Sequence, residues 1–330
     1  MRTLIPLFFV ATPALAEPQV LTDLPPIHSL VAQVMEGVGT PDLLLDSNAS
    51  GHGLSLRPSQ AGLAENADLV FWVGPDMSPG LEKSLSVLAR DAKVTALMER
   101  PETLILDRSS SEAHAHDGDE DHEDEHADHD DHDDHEEHAD HDDHDEHEEH
   151  AAEDDHGHNH GSRDPHVWLD PENGQIWLSM IAEELAAQDP ENAETYHSNA
   201  TRATESLGAL QAQITEKLAP FHDVEYLATH SAFGYFEARF HLAPAHALTG
   251  VNAEAPTPGA MSEVRHAAED GITCLIVEPD TPQATIKTLT EDTNLKAQPL
   301  DPLGRDLPAG PGQYEALLTH ISKGYASCLD

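Results

Sequence analysis

Residues 112–160 contain no aromatic side chain and no aliphatic one larger than Ala, and of the 49 positions 25 are Asp or Glu and 15 are His. A segment of this kind buries no apolar surface, so nothing offsets the entropy of ordering it. The segment is therefore expected to be a disordered insert, and whatever folds must be built from the sequence on either side. Between positions 17–111 and 161–330 that leaves enough chain for two units of ordinary size, each with its own core.

Both flanks alternate strand-like and helix-like stretches. Before the insert, 19–24, 43–46 and 68–73 are short apolar runs, with helical stretches near 27–36, 58–66 and 80–89. After it, 224–229, 242–248, 272–278 and 296–300 read as strands, and 233–240, 258–270 and 314–325 as helices. Alternation at this spacing predicts βα units around parallel sheets. Asp189-Pro190 is a helix start signal, with Asp as N-cap and Pro at the first helical position. From there to about Leu218 no further Pro intervenes. The expected fold is α/β, with two lobes (17–188 and 221–330) joined by one long helix over 189–220.

At the amino end, Arg2 precedes an apolar run, and Ala14-Leu15-Ala16 has the small-x-small pattern that a signal peptidase cleaves. The run is too short to span a bilayer. Residues 1–16 are expected to be a signal peptide, with the mature chain starting near Glu17 and released unlipidated into a periplasm. The formal net charge is −47, of which −25 lies in the insert. That balance excludes nucleic acid as a partner, since nothing neutralises phosphates, and it suits cations. Cys274 and Cys328 are the only cysteines. In an oxidising compartment a single disulfide between them is the simplest reading, with a thiolate metal site as the alternative.

Ten histidines lie outside the insert, and position sorts them. Ligands of open α/β sheets bind beyond the carboxyl ends of the strands. His230 follows a strand ending at Thr229, Asp280 follows one ending at Glu278, and His52 lies in a loop after one ending near Asp46. His166 sits in Asp164-Pro165-His166-Val167-Trp168-Leu169-Asp170-Pro171, where prolines hold the backbone extended and Trp168 anchors it. Each lobe supplies two candidates, so a cleft between the lobes collects all four. Three neutral imidazoles and a carboxylate suit tetrahedral zinc, whereas manganese prefers more oxygen ligands. Imidazole must lose its proton to bind metal, so affinity is expected to fall below about pH 6.5.

Several stretches resemble the periplasmic zinc-binding proteins of zinc-uptake ABC transporters. They are Ser55-Leu56-Arg57-Pro58-Ser59, Ala67-Asp68-Leu69-Val70-Phe71-Trp72-Val73-Gly74-Pro75, His230 with Phe233-Gly234-Tyr235-Phe236, Asp301-Pro302-Leu303-Gly304 and Tyr325-Ala326-Ser327-Cys328. The resemblance implies a cleft site for one tightly held Zn2+, a membrane permease as acceptor, a monomer and no catalysis. Carried over by position, His52, His166 and His230 match the three histidine ligands. Some relatives have an acidic residue before the first histidine, where this chain has Gly51, so Asp280 is the candidate fourth ligand, with water or an insert residue as alternatives. Glu278 reads as a structural strand-end carboxylate.

The insert matches the His-rich loop of such proteins. Its histidines recur at every third position from His126 to His150, a spacing that a polyproline II backbone would align along one edge. Several weak, exchanging metal sites are expected there. Other readings are the same fold working on manganese, or a zinc buffer or chaperone whose working part is the insert. A zinc hydrolase fits poorly, since no H-E-x-x-H pair occurs outside the insert.

Overall fold

A computed structural model describes residues 17–45, 51–52, 54, 56–106, 163–253 and 255–330. The expected signal peptide and the expected disordered insert lie outside the described residues.

The first lobe is a parallel sheet with strand order β2-β1-β3-β4. Its strands are β1 (Val20–Thr22), β2 (Asp42–Leu43), β3 (Leu69–Trp72) and β4 (Lys93–Ala96). β1 and β3 are apolar-rich and buried throughout, as central strands of a sheet covered on both faces must be. Helices α1 (Pro25–Val34), α2 (Pro58–Asn66) and α3 (Pro79–Leu88) alternate with them, each opening on a proline, whose missing N–H costs nothing in a first turn.

The second lobe repeats the pattern in the order β6-β5-β7-β8. Its strands are β5 (Leu227–Ala228), β6 (His246–Ala247), β7 (Cys274–Val277) and β8 (Lys296–Pro299). Between the lobes run α4 (Pro171–Gln188) and α5 (Ala193–Leu218). The remaining helices are α6 (Gly234–Phe240), α7 (Pro258–Glu269), α8 (Gln283–Thr290) and α9 (Gln313–Leu329).

The joining helix starts at Asp189-Pro190 as expected but opens as a 3-10 turn. Asp189 ends α4, residues 190–192 form a 3-10 turn, and α5 begins at Ala193. The Asp189 carboxylate caps no backbone N–H there; it accepts from Asn192 Nδ2 (2.6 Å) and from the buried Tyr196 hydroxyl (2.9 Å). The 26 residues of α5 span about 39 Å at 1.5 Å per residue. The 3-10 turns at 190–192 and 219–221 extend the connector at either end.

Side chains of β5 and β7 alternate between two cores, following the period of two. Ala228, Cys274 and Ile276 join a core that runs through both lobes, including Phe71, Trp168, Trp177, Tyr314 and Tyr325. Leu227, Leu275 and Val277 face a smaller core with Val264 and Leu289. The last helix, α9, packs on β7 and β8 and also on α1 and α5. A disulfide ties its Cys328 to Cys274 at the start of β7.

Candidate metal centre

In both sheets the strand order turns back between the two central strands, β1 and β3 in one and β5 and β7 in the other. A crevice opens at the carboxyl ends of such a pair. His230 and Glu278 stand just past the ends of β5 and β7. Asp23, just past β1, spans the equivalent crevice of the first lobe by accepting the N–H groups of Val73 and Leu24, each at 2.8 Å.

His52, His166 and His230 come together. Their ring centroids are 5.2, 5.3 and 5.1 Å apart, close to an equilateral triangle. One donor nitrogen from each lies within 4.8 Å of the others, and this is the one such set among the described residues. His166 and His230 are buried, and His52 is half-buried. The space they border with Trp168, Leu303 and Met77 is about 20 Å³, room for a single water-sized occupant. A larger cavity of about 480 Å³ adjoins His52 and His230 on the side of Thr229, Thr249 and Asn252.

Two of the rings are aimed by carboxylates. His166 Nδ1 lies 2.8 Å from Asp164 Oδ1, which also accepts the His166 backbone N–H at 2.9 Å. His230 Nδ1 lies 2.7 Å from Glu278 Oε1. The carboxylate on His166 Nδ1 fixes its tautomer and leaves Nε2 as the ligand nitrogen, whereas His230 Nε2 also lies 3.1 Å from Val251 O, a contact that an ion would replace. Glu278 was expected to serve only the strand end; its contact with His230 gives it a part in the site. Trp168 is fully buried and donates its indole N–H to Pro302 O at 2.8 Å, anchoring the His166 segment as expected, although residues 167–169 form a 3-10 turn rather than the extended backbone expected there.

Electrostatics differ around the triangle. Burial, then the neighbouring His166 and His230 rings, depress the His52 pKa to about 3, so this imidazole is neutral near pH 7. Burial acts on His230 in the same sense, but the hydrogen bond and charge of Glu278 outweigh it, and the His230 pKa is raised above its ordinary value.

Asp280 borders the same small space but lies outside the 4.8 Å set. Its carboxylate pairs with Arg305, Oδ1 with Nη1 and Oδ2 with Nη2, both at 3.1 Å. Arg305 also donates Nε to Asp301 Oδ2 at 3.1 Å. The contacts of Asp164 and Arg305 were missed from sequence, although Asp164 stands in the motif that singled out His166.

Two parallel α/β lobes, one long joining helix and three imidazoles converging between them define a two-lobe metal-binding protein. Residues 20–328 match the family described as zinc-uptake complex component A, periplasmic (ZnuA), and the chain belongs to that family. Its members are solute-binding proteins, not enzymes. The chain is 40% identical over 322 residues to the high-affinity zinc uptake system protein ZnuA of Paracoccus denitrificans, covering 97% of this chain and 94% of that one. It is 38% identical over 312 residues to the corresponding protein of Brucella abortus, covering 94% and 91%. Among solved structures, the periplasmic zinc-binding protein TroA of Treponema pallidum superposes with a TM-score of 0.72 at 17% identity, covering 95% of this chain and 99% of that one. A crystal structure of ZnuA gives 0.71 at 16%, covering 95% and 100%. At these identities the likeness concerns the fold. No helix among the described residues is long and apolar enough to cross a membrane.

Proposed function

We propose that this chain captures Zn2+ in the periplasm through His52, His166 and His230 and delivers it to the membrane permease of an ABC importer. Residues 17–188 and 221–330 act as the two lobes, 189–220 as the connector, and the chain works as a monomer. The observation that carries this reading is the near-equilateral histidine triangle, with two of its rings set by Asp164 and Glu278. Three imidazoles are a donor set that suits zinc over manganese. The two carboxylates behind the rings offset the charge of the incoming dication. The fourth position falls to Asp280, which borders the site and reaches it by leaving Arg305.

In this reading the insert over 112–160 gathers zinc in several weaker sites, and the cleft presents one ion to the permease. The test is a zinc titration by calorimetry on the full chain, on a chain lacking 112–160 and on His230→Ala. One tight site is expected to survive the deletion, and His230→Ala is expected to lose it by orders of magnitude. If deleting the insert abolished all binding while His230→Ala changed nothing, the chain would be a zinc buffer acting through its insert.

A further inference from the structure

We propose that Arg305 competes with the cargo ion for the Asp280 carboxylate, so that filling the fourth coordination position exchanges one cation for another. The inference rests on the reading of the histidine triangle as the zinc site.

Three observations carry it. Asp280 sits in the middle of a turn closed by the Thr281 N–H on Glu278 O at 3.0 Å, with Pro279 before it, so its backbone is held beside the histidines while its side chain remains half exposed. Both of its carboxylate oxygens pair with Arg305, and Asp280 stands outside the set of ligand atoms that the three histidines form. The arginine does not depend on Asp280 for its place. Its backbone N–H and Nε both donate to Asp301 Oδ2, at 2.8 and 3.1 Å, and the other Asp301 oxygen accepts Leu303 N–H. Gln313 at the start of α9 in turn donates to the carbonyls of Leu303 and Gly304. The guanidinium is thus tethered at one end and carries Asp280 at the other. When Asp280 swings to a metal ion, Arg305 keeps Asp301 and is not left as a buried unpaired charge.

An arginine that merely supported the fold would weaken zinc binding when removed, whereas a competitor strengthens it. Zinc affinity would be measured on the full chain by competition with a chromogenic chelator for Arg305→Met, Asp280→Asn, the double variant and His230→Ala. Arg305→Met is expected to bind zinc about two- to five-fold more tightly, the size of an exposed ion pair. In the Asp280→Asn background the gain should vanish. Arg305→Lys, which keeps a cation at the site, is expected to fall between wild type and Arg305→Met and serves if the methionine variant does not fold. Unchanged or weaker binding in Arg305→Met and Arg305→Lys, or a gain that persists without Asp280, would overturn the exchange while leaving the triangle as the zinc site. Tight binding that survives His230→Ala would instead remove the reading on which the exchange rests.

Discussion

Asp164 holds His166 twice, accepting its ring Nδ1–H at 2.8 Å and its backbone N–H at 2.9 Å with the same oxygen. The ring is thereby fixed relative to its own main chain before any ion arrives. Glu278 does the equivalent for His230 from the end of a neighbouring strand. Neither carboxylate has to touch the metal to matter, because each sets the direction and basicity of a nitrogen that does.

Asp164→Asn and Glu278→Gln should therefore each weaken zinc binding by about 10- to 100-fold while the fold persists. Chelator competition alongside thermal melts would check this. Affinity unchanged by both substitutions would mean that the rings are positioned by packing alone.

Stability should carry a pH dependence of unusual sign. Burial raises the carboxyl pKa of Asp23 from 3.8, and that of Glu237 from 4.5, to about 7 in each case, against opposing hydrogen bonds. A folded-state pKa above the unfolded one means that the native state holds the extra proton. The contribution is complete below the unfolded pKa and is lost as pH rises through about 7. Glu237→Gln, which keeps an acceptor for the Tyr226 hydroxyl at 2.5 Å, should flatten the fall in stability between pH 5 and 8. Urea melts at several pH values would test it; a slope identical to wild type would refute the assignment.

Gly174 lies inside α4, where alanine ordinarily favours a helix by about 1 kcal/mol. A methyl there would meet Tyr314 Cε1 and Oη at 2.8 Å and Leu207 at 3.0 Å. Tyr314 has little freedom to retreat, since it is fully buried and donates to Trp168 O at 2.6 Å. Gly174→Ala should thus destabilise by about 1–3 kcal/mol net of propensity, read as a lower midpoint in denaturant. A raised midpoint would show that α4 and α9 part more easily than their packing implies.

Removing the disulfide should destabilise the second lobe. Cys274 and Cys328 close a loop of 54 residues, worth about 4 kcal/mol in the chain-entropy model. Thermal melts with and without reductant would measure it, with Cys274→Ser and Cys328→Ser together as the control that reductant should leave unaffected.

Much of this was legible in the sequence where residues follow strong rules. Three histidines stand where loops or strand ends meet the cleft, and β1, β3 and β7 announce themselves by apolar runs. The edge strand β4 does not: Lys93-Val94-Thr95-Ala96 is half exposed and gains its place from pairing with β3. Helix α8 likewise buries only Leu289 fully, too narrow a stripe to show a period. Helix α4 was hidden by its length and mixed polarity, since its buried face includes Asn173, Gly174 and Glu184. The pairing of Asp280 with Arg305 spans 25 positions and is set by how β7 and β8 lie side by side, which no local pattern encodes.

The last helix belongs by sequence to the second lobe, yet Tyr314 takes the Ser29 hydroxyl of α1 as acceptor for its backbone N–H at 2.9 Å and reaches the carbonyl of Trp168. Ser29 in turn donates to Pro311 O, and Arg239 of α6 grips Asp170 at the head of α4 with two 2.7 Å contacts. The halves of the molecule are therefore stitched along a seam as well as joined by a strut. Swinging them apart like a clamshell would shear a continuous apolar interior and break these stitches together. Admission and release of an ion then fall to the lip of the cleft, to side-chain rotations and short turns such as the one bearing Asp280, with the body of the protein acting as a fixed frame.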